Sequence, residues 1–417
     1  MRQLVHKSGA YLISNILSRG VIFLLLPVLS RYLSPADYGV IAMYEMTLFI
    51  LLPIIGLNTH GFISVKYYAE REKISGYIGN AVLLTISSFW IILLALHFSR
   101  FSLSRILSIP PNWLYWIPIV ALGQCLCDIF LTILQVKGLA IYYGCFRIFQ
   151  IITDVSLSLY FIIVMKLDWT GRIMGSGIAV CILGTVAYLI LSRKKLVMFK
   201  FNDKYIKNAL LFGLPLIPHA IGGWVISMSN RLFINKLQGI EATGIYTAGS
   251  QVAMVILVIA TSFNLAWTPF LYERLKKSES EPAEKLRLVK LTYMYDLFLL
   301  VLAIILGLSA HVIIGSFLDK RYIMASDFVV WIALGYAFNG MYFMVSNYLF
   351  YAEKTYILTM VTVTAAIFNI GATYILIKLN GTIGAAQASC LTFFVFFILT
   401  WLASNKVYRM PWRLSLS

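Results

Sequence analysis

The chain has 417 residues, of which 60% are hydrophobic and 12% charged, and a formal net charge of +17. Water-soluble domains carry about 25% charged residues. The composition therefore excludes a soluble enzyme and a soluble nucleic-acid-binding domain, because no polar stretch is long enough to form one. The basic residues sit mostly in short connections between apolar runs, where they set membrane topology.

A membrane-spanning helix needs about 20 predominantly apolar residues. Twelve such runs follow one another, at 9–33, 38–63, 77–99, 113–135, 141–165, 173–192, 208–235, 243–271, 288–314, 327–351, 356–377 and 382–403. The first is preceded by only Arg2 and Lys7 and lacks a small-residue cleavage site, so it is expected to remain as a membrane helix. Alternating the connections across the membrane puts 23 of the 34 basic residues on the side of the N-terminus and 10 on the other, with Arg19 inside a span. That asymmetry predicts an even number of spans with both termini cytoplasmic.

Taken in chain order, the spans are not uniformly apolar. The first aligns Ser8, Tyr11, Asn15 and Ser18, with Arg19 adjacent, and the second contains Glu45. In the fourth, Gln124, Asp128, Thr132 and Gln135 fall on one helical face; in the fifth, Tyr143, Arg147, Gln150, Asp154 and Ser158 do the same. The seventh holds Pro215, Pro218, His219, Gly222, Gly223, Ser227, Asn230 and Arg231, and the ninth holds Asp296 beside Tyr293 and Tyr295. A guanidinium at the centre of a membrane helix costs about 2.5–3.5 kcal/mol on insertion scales, so such groups face a bundle interior or a wet cavity. The structural reading of these stripes is interhelical hydrogen bonds and charge pairs such as Arg147–Asp154 that hold the bundle together. The functional reading is a water-filled cavity for a polar or anionic headgroup, and several stripes on separate helices favour it. Pro215, Pro218, Gly222 and Gly223 make the seventh span the strongest hinge candidate.

The longest connections are 193–207 and 272–287, both basic and expected to be cytoplasmic. The first joins two six-span halves, giving lobes at 1–192 and 208–417 with a basic linker at 193–207. Residues 273–290 are expected to lie at the membrane surface as a helix. The halves echo one another weakly: SPADYGVIAMY at Ser34–Tyr44 matches GIEATGIYT at Gly239–Thr247 with an offset of 205 residues, as parallel repeats do in transporters. Cys125, Cys127, Cys145, Cys181 and Cys390 lie in or beside apolar runs without disulfide or zinc spacing. The five histidines are scattered, and no metal cluster, Walker motif or nucleophile elbow is present in a loop where it could act. The expectation is no metal, no cofactor, no catalytic residue and no nucleic-acid partner.

The opening pattern SNILSRG followed by LLPVLSRYLSPADYG, and FGLPLIPHAIGGWVISMSNRLFINKLQGIEATGIYTAGSQV at Phe212–Val252, resemble polysaccharide-biosynthesis flippases. These are the O-antigen (Wzx-type) lipid-linked oligosaccharide translocases of the multidrug/oligosaccharidyl-lipid/polysaccharide exporter superfamily. Where that family's pattern often ends in Asp-Arg, this chain has Asn230–Arg231. The resemblance implies an all-α integral membrane protein with twelve transmembrane helices in two six-helix lobes, forming a V around a central cavity. It implies a transporter, not an enzyme, moving an undecaprenyl-pyrophosphate-linked repeat unit across the bacterial inner membrane for O-antigen or capsule synthesis. H⁺ or Na⁺ is the implied coupling ion. The implied partners are lipid-linked oligosaccharide, membrane lipids, a polysaccharide polymerase and a chain-length regulator.

Within that frame Arg19 and Arg147 are expected to contact the pyrophosphate, with Arg231 a third cavity cation. Asn15, Gln124, Gln150, His219 and Asn230 would line a polar cavity. Glu45, Asp128, Asp154 and Asp296 would balance charge or relay protons. The rivals are a multidrug antiporter of the same fold, a lipid II flippase, and an integral-membrane polymerase or ligase. Multidrug antiporters typically carry a carboxylate in the first helix, where this chain has Arg19; lipid II flippases usually have two more helices; and a polymerase or ligase needs a sizeable periplasmic loop.

Overall fold

A computed structural model describes residues 25–277 and 282–413, and every regular element among them is helical. Residues 25–32 (α1) end the first predicted span. The chain continues through α2 (Pro35–Gly56), α3 (Thr59–Ala69), α4 (Ile74–Leu107), α5 (Trp116–Val136), α6 (Ala140–Leu159), α7 (Trp169–Arg193), α8 (Asp203–Gly213), α9 (Leu216–Gln238), α10 (Ile240–Lys277), α11 (Pro282–Phe317), α12 (Ser326–Tyr351) and α13 (Thr355–Val407). It divides into two compact units, Met1–Trp224 and Val225–Ser417. The division falls inside α9.

Ten helical stretches among the described residues are long and apolar enough to cross a membrane. The last of these, α13, is 53 residues long and is interrupted at Gly381, where φ is 60° and ψ is −143°. Only glycine takes that conformation without strain, and it separates the eleventh and twelfth predicted spans. The helices run past the hydrocarbon core. At 34 residues, α4 is about 51 Å long, against about 30 Å of hydrocarbon. Its outer face shows Trp90, Ile91, Leu94 and Phe98, and α11 shows Leu297, Phe298, Ile305 and Leu308. Contiguous exposed apolar faces of this length fit lipid and not water.

Local sequence explains several boundaries. The Ser-Pro-Ala-Asp motif starts α2 as a capping box: the Asp37 amide donates to Ser34 Oγ (3.2 Å) and the Ser34 amide donates to Asp37 Oδ2 (2.9 Å), with Pro35 in the first turn. The second predicted span is broken at Leu57 and Asn58, both left-handed (φ 46° and 49°). The seventh is broken at Leu214–Pro215, between α8 and α9. The two breaks meet within unit 1. A Cβ on Gly213 would lie 2.0 Å from the Leu57 carbonyl oxygen, so only glycine permits this approach.

One expectation is corrected. Residues 273–290 do not form a separate surface helix among those described: α10 runs to Lys277 and α11 begins at Pro282. Both apolar spans continue in phase into the polar segment, which a hydropathy reading truncates at its last apolar residue. The basic stretch after α7 is a strap laid along the start of α4. Buried Asn80 clamps it, donating to the Lys200 carbonyl (2.9 Å) and accepting from the Asn202 amide (3.0 Å), while the Met198 amide donates to the Ser75 carbonyl (3.1 Å).

Candidate functional site

In unit 1 the α5 and α6 stripes meet in a closed ring of four side chains. Gln124 Nε2 donates to Asp128 Oδ1 (2.9 Å), Gln150 Nε2 donates to Gln124 Oε1 (3.1 Å), and Arg147 donates to Gln150 Oε1 (3.2 Å). Arg147 closes the ring with an ionic contact to Asp128 Oδ1 at 3.8 Å. His60 on α3 lies near enough to act on Asp128 electrostatically. The ring joins Gln124, Asp128, Arg147 and Gln150, all four named from the sequence.

Asp154 belongs elsewhere. It accepts from Arg172 (2.5 Å) and from Ser158 Oγ (3.1 Å), and Arg172 also donates to Ser158 (2.7 Å). The expected Arg147–Asp154 pair does not form. Seven residues on one helix are two turns apart, about 10 Å, so each charge reaches to a neighbouring helix. Hydropathy places Arg172 in a connection, just before the sixth predicted span at 173–192. It lies instead in the first turn of α7, 8% exposed, where a cation opposes the helix dipole. The Asp154 carboxylate offsets that cost, and Glu45 of α2 is close enough to add to it.

Unit 2 is built differently. On α9, Ser229 and Asn230 are buried and turn toward α13. Asn230 donates to Ser389 Oγ (2.5 Å) and accepts from Thr373 Oγ1 (2.8 Å), and Ser389 shares a hydrogen bond with Tyr246 OH (3.0 Å). Ser229 donates to Asn369 Oδ1 (3.1 Å), whose amide donates to Thr392 Oγ1 (3.0 Å). An amide both donates and accepts; an aspartate accepts only. This geometry accounts for asparagine at position 230. Asn369, Thr373, Ser389 and Thr392 carry no charge and so escaped the sequence reading, although their spacings of four and three residues were the available signal.

The next residue, Arg231, points to α10. Its guanidinium donates to Thr247 Oγ1 (3.3 Å) and Ser250 Oγ (3.4 Å) and also approaches Met228 Sδ. Among the described residues no carboxylate lies within ion-pair distance of it. Asp296, on α11, has a buried Oδ1 with no hydrogen-bond partner among the described residues. His219 is exposed on α9, with Pro218, Gly222 and Gly223 in the same helix and Pro215 in the break before it. Asn15 and Arg19 lie outside the described residues.

A cavity of about 380 Å³ is lined by Asn112, Trp113, Tyr115, Trp116, Ile119 and Met174; none of the sequence-predicted site residues borders it. Among the described residues no group of three or more His, Cys, Asp or Glu side chains is arranged to hold a metal ion.

The chain is 27% identical to an uncharacterized membrane protein of Haemophilus influenzae, over 88% of this chain and 89% of the relative. It is 24% identical to the Lsg locus putative protein 1 of the same organism, over 87% and 88%. Its fold resembles the inward-facing conformation of a multidrug resistance MATE family transporter of the MOP superfamily (TM-score 0.69, 15% identity, 94% and 97% coverage). It also resembles a mutant of the Vibrio cholerae MATE transporter VcmN (TM-score 0.66, 17% identity, 98% and 97% coverage). The chain is thus a multi-pass membrane protein with the two-lobed MATE fold. The MatE family profile matches residues 215–375. The polysaccharide biosynthesis protein profile matches residues 4–275, which include both motifs singled out from the sequence, and the chain belongs to that family.

Proposed function

We propose that this chain is a flippase that carries an undecaprenyl-pyrophosphate-linked oligosaccharide from the cytoplasmic to the periplasmic leaflet of a bacterial inner membrane. The observation that carries the reading is Arg231: a guanidinium inside a spanning helix whose partners among the described residues are all neutral. A cation so placed is costly unless an anion accompanies it, and a pyrophosphate is an anion that a planar guanidinium binds through two parallel hydrogen bonds. Membership of a polysaccharide biosynthesis family supports a glycan-bearing cargo. Arg19 and Arg147 are the further cations assigned to the pyrophosphate, with Arg147 half committed to Asp128. The cargo leaves covalently unchanged, ready for polymerisation into O-antigen or capsule, with a polymerase and a chain-length regulator as partners.

Alternating access is assigned to the paired breaks at Leu57–Asn58 and Leu214–Pro215, and coupling to H⁺ or Na⁺ is assigned to Asp296, whose buried carboxylate oxygen lacks a partner among the described residues. The second reading, a multidrug antiporter of the same fold, is favoured by the MatE match. An un-neutralised arginine repels a cationic drug, which places this reading second.

The test is sidedness in proteoliposomes. Lipid-linked repeat unit is loaded in one leaflet, and its accessibility to an external glycosidase is followed with and without H⁺ or Na⁺ gradients. Protein-dependent movement of intact cargo supports the reading. Longer glycan chains, or extrusion of small cations without cargo movement, overturn it.

A further inference from the structure

Three connections of unit 1 end together, at the end where α4 begins. There α3 passes into the 3-10 turn Arg71–Lys73, α5 gives way at Lys137, and α7 gives way at Lys194. The two lysines are equivalent: each amide donates back into the last helical turn, Lys137 to the Ile133 carbonyl and Lys194 to the Ile190 carbonyl, both at 3.1 Å. All three connections rest on one apolar core that includes Tyr67, Ile74, Leu134 and Leu191.

The cations gathered here fall into two kinds. Lys66 and Lys73 share Glu70, at 2.9 and 3.6 Å. Arg71, Lys137 and Lys194 are exposed, and among the described residues no carboxylate is within ion-pair distance of them. The Arg71 guanidinium lies 5.4 Å above the Tyr67 ring. Partial burial, and then the nearby charges of Lys194 and Arg71, push the Lys137 ammonium below its ordinary value. Like charges held together at a surface without a counter-ion call for an anion from outside.

The neighbouring strap supplies the second observation. Met198, Phe199 and Phe201 are 53%, 51% and 70% exposed, and Lys195 and Lys200 are exposed among them. The Asn80 clamp fixes the backbone beneath these side chains. Exposed rings interleaved with lysines at the ends of spanning helices suit the headgroup level of a bilayer. We propose that Arg71, Lys137 and Lys194 bind the phosphate headgroup of an anionic glycerophospholipid, with Met198, Phe199 and Phe201 seated among its acyl chains. The lipid leaflet is the source of the anion, because a soluble phosphate gives the apolar side chains nothing to bury against.

Native mass spectrometry of the full chain, released from nanodiscs of mixed phosphatidylglycerol and phosphatidylcholine, tests this. The wild type retains phosphatidylglycerol selectively, and about 0.5 M salt removes much of the selectivity by screening. Each cation near such a surface is worth about fivefold, so the combined Arg71→Gln, Lys137→Gln and Lys194→Gln variant loses on the order of a hundredfold. The control Arg105→Gln with Lys166→Gln, at the other end of unit 1, retains the lipid. Should the triple variant fail to fold, Lys194→Gln alone still loses about fivefold. Undiminished retention by the variants, equal loss in the control, or retention of polyprenyl diphosphate or a protein in place of phosphatidylglycerol overturns the proposal.

Discussion

Arg147 and Arg172 of unit 1 each meet a carboxylate from a neighbouring helix, Asp128 and Asp154 respectively. In unit 2, Arg231 meets hydroxyls, a thioether and the Ser227 carbonyl, and Asp296 sits on a different helix with no partner among the described residues for its buried oxygen. The polar bonds that join α9 to α13 in unit 2, centred on Asn230 and Asn369, involve no charge. Within the spans, charges in unit 1 thus tie helices to one another, while in unit 2 amides and hydroxyls do that task and an ion pair joins α10 to α11 only beyond the apolar runs, where Arg274 meets Glu284 at 3.3 Å. An intramembrane charge that is already neutralised has little to offer a ligand; one held by neutral acceptors has most of its field to spare.

The comparison breaks most visibly at Arg231. Arg231→Gln is expected to lower the rate of cargo translocation by about 10- to 100-fold, the worth of a hydrogen bond to a charged group, with membrane insertion unchanged by protease accessibility. A smaller effect than that of Arg147→Gln would reverse the ranking of the two units. Asp296→Asn comes next: flux is expected to lose its dependence on the imposed ion gradient while exchange down a cargo gradient persists. Gradient-dependent flux in that variant removes Asp296 from the coupling role.

Stability measurements sharpen the other half of the contrast. Arg172→Gln leaves Asp154 without its cation and is expected to cost about 3 kcal/mol, while the double variant with Asp154→Asn recovers much of it; thermal unfolding in detergent reads both. Asn230→Asp removes a buried donor and adds a buried charge, for an expected loss of about 1–3 kcal/mol, with Arg231-dependent transport spared at permissive temperature. The smallest effect is at the membrane surface. Hydrogen bonds from Lys66 and Tyr77 hold the half-buried Glu70 carboxyl down from 4.5 to about 2. A depressed carboxyl stabilises the fold above its unfolded value and ceases to do so as pH falls through the folded one. The difference in melting temperature between wild type and Glu70→Gln should therefore shrink steadily between pH 5 and about pH 2.

Much of this organisation was legible in the chain, because span length and face periodicity follow directly from bilayer thickness and helix geometry. Gln124, Asp128, Arg147 and Gln150 were placed on two stripes by spacing, and those stripes do converge. Which charge pairs with which was not legible. The partner of Asp154 is set by how α6 and α7 pack, and hydropathy cut α7 short of Arg172. The neutral network of α9 and α13 was invisible for another reason: serines and threonines in a membrane helix usually satisfy their own backbone, as Thr85 does with the Ala81 carbonyl. Only packing turns Ser389 and Thr373 toward Asn230. The break at Leu57–Asn58 follows Pro53 and Gly56, but both residues are common inside membrane helices, so its position became visible only through Gly213 packed against it.

The most direct measurement is the affinity of the purified chain for a polyprenyl series that differs only in headgroup charge: diphosphate, monophosphate and neutral alcohol. The wild type is expected to bind them in that order, and Arg231→Gln to bind all three with nearly equal, weak affinity while Arg172→Gln with Asp154→Asn keeps the wild-type order. Charge-independent binding by the wild type, or an order left intact without Arg231, would contradict the assignment of the uncommitted arginine to an anionic lipid-linked cargo.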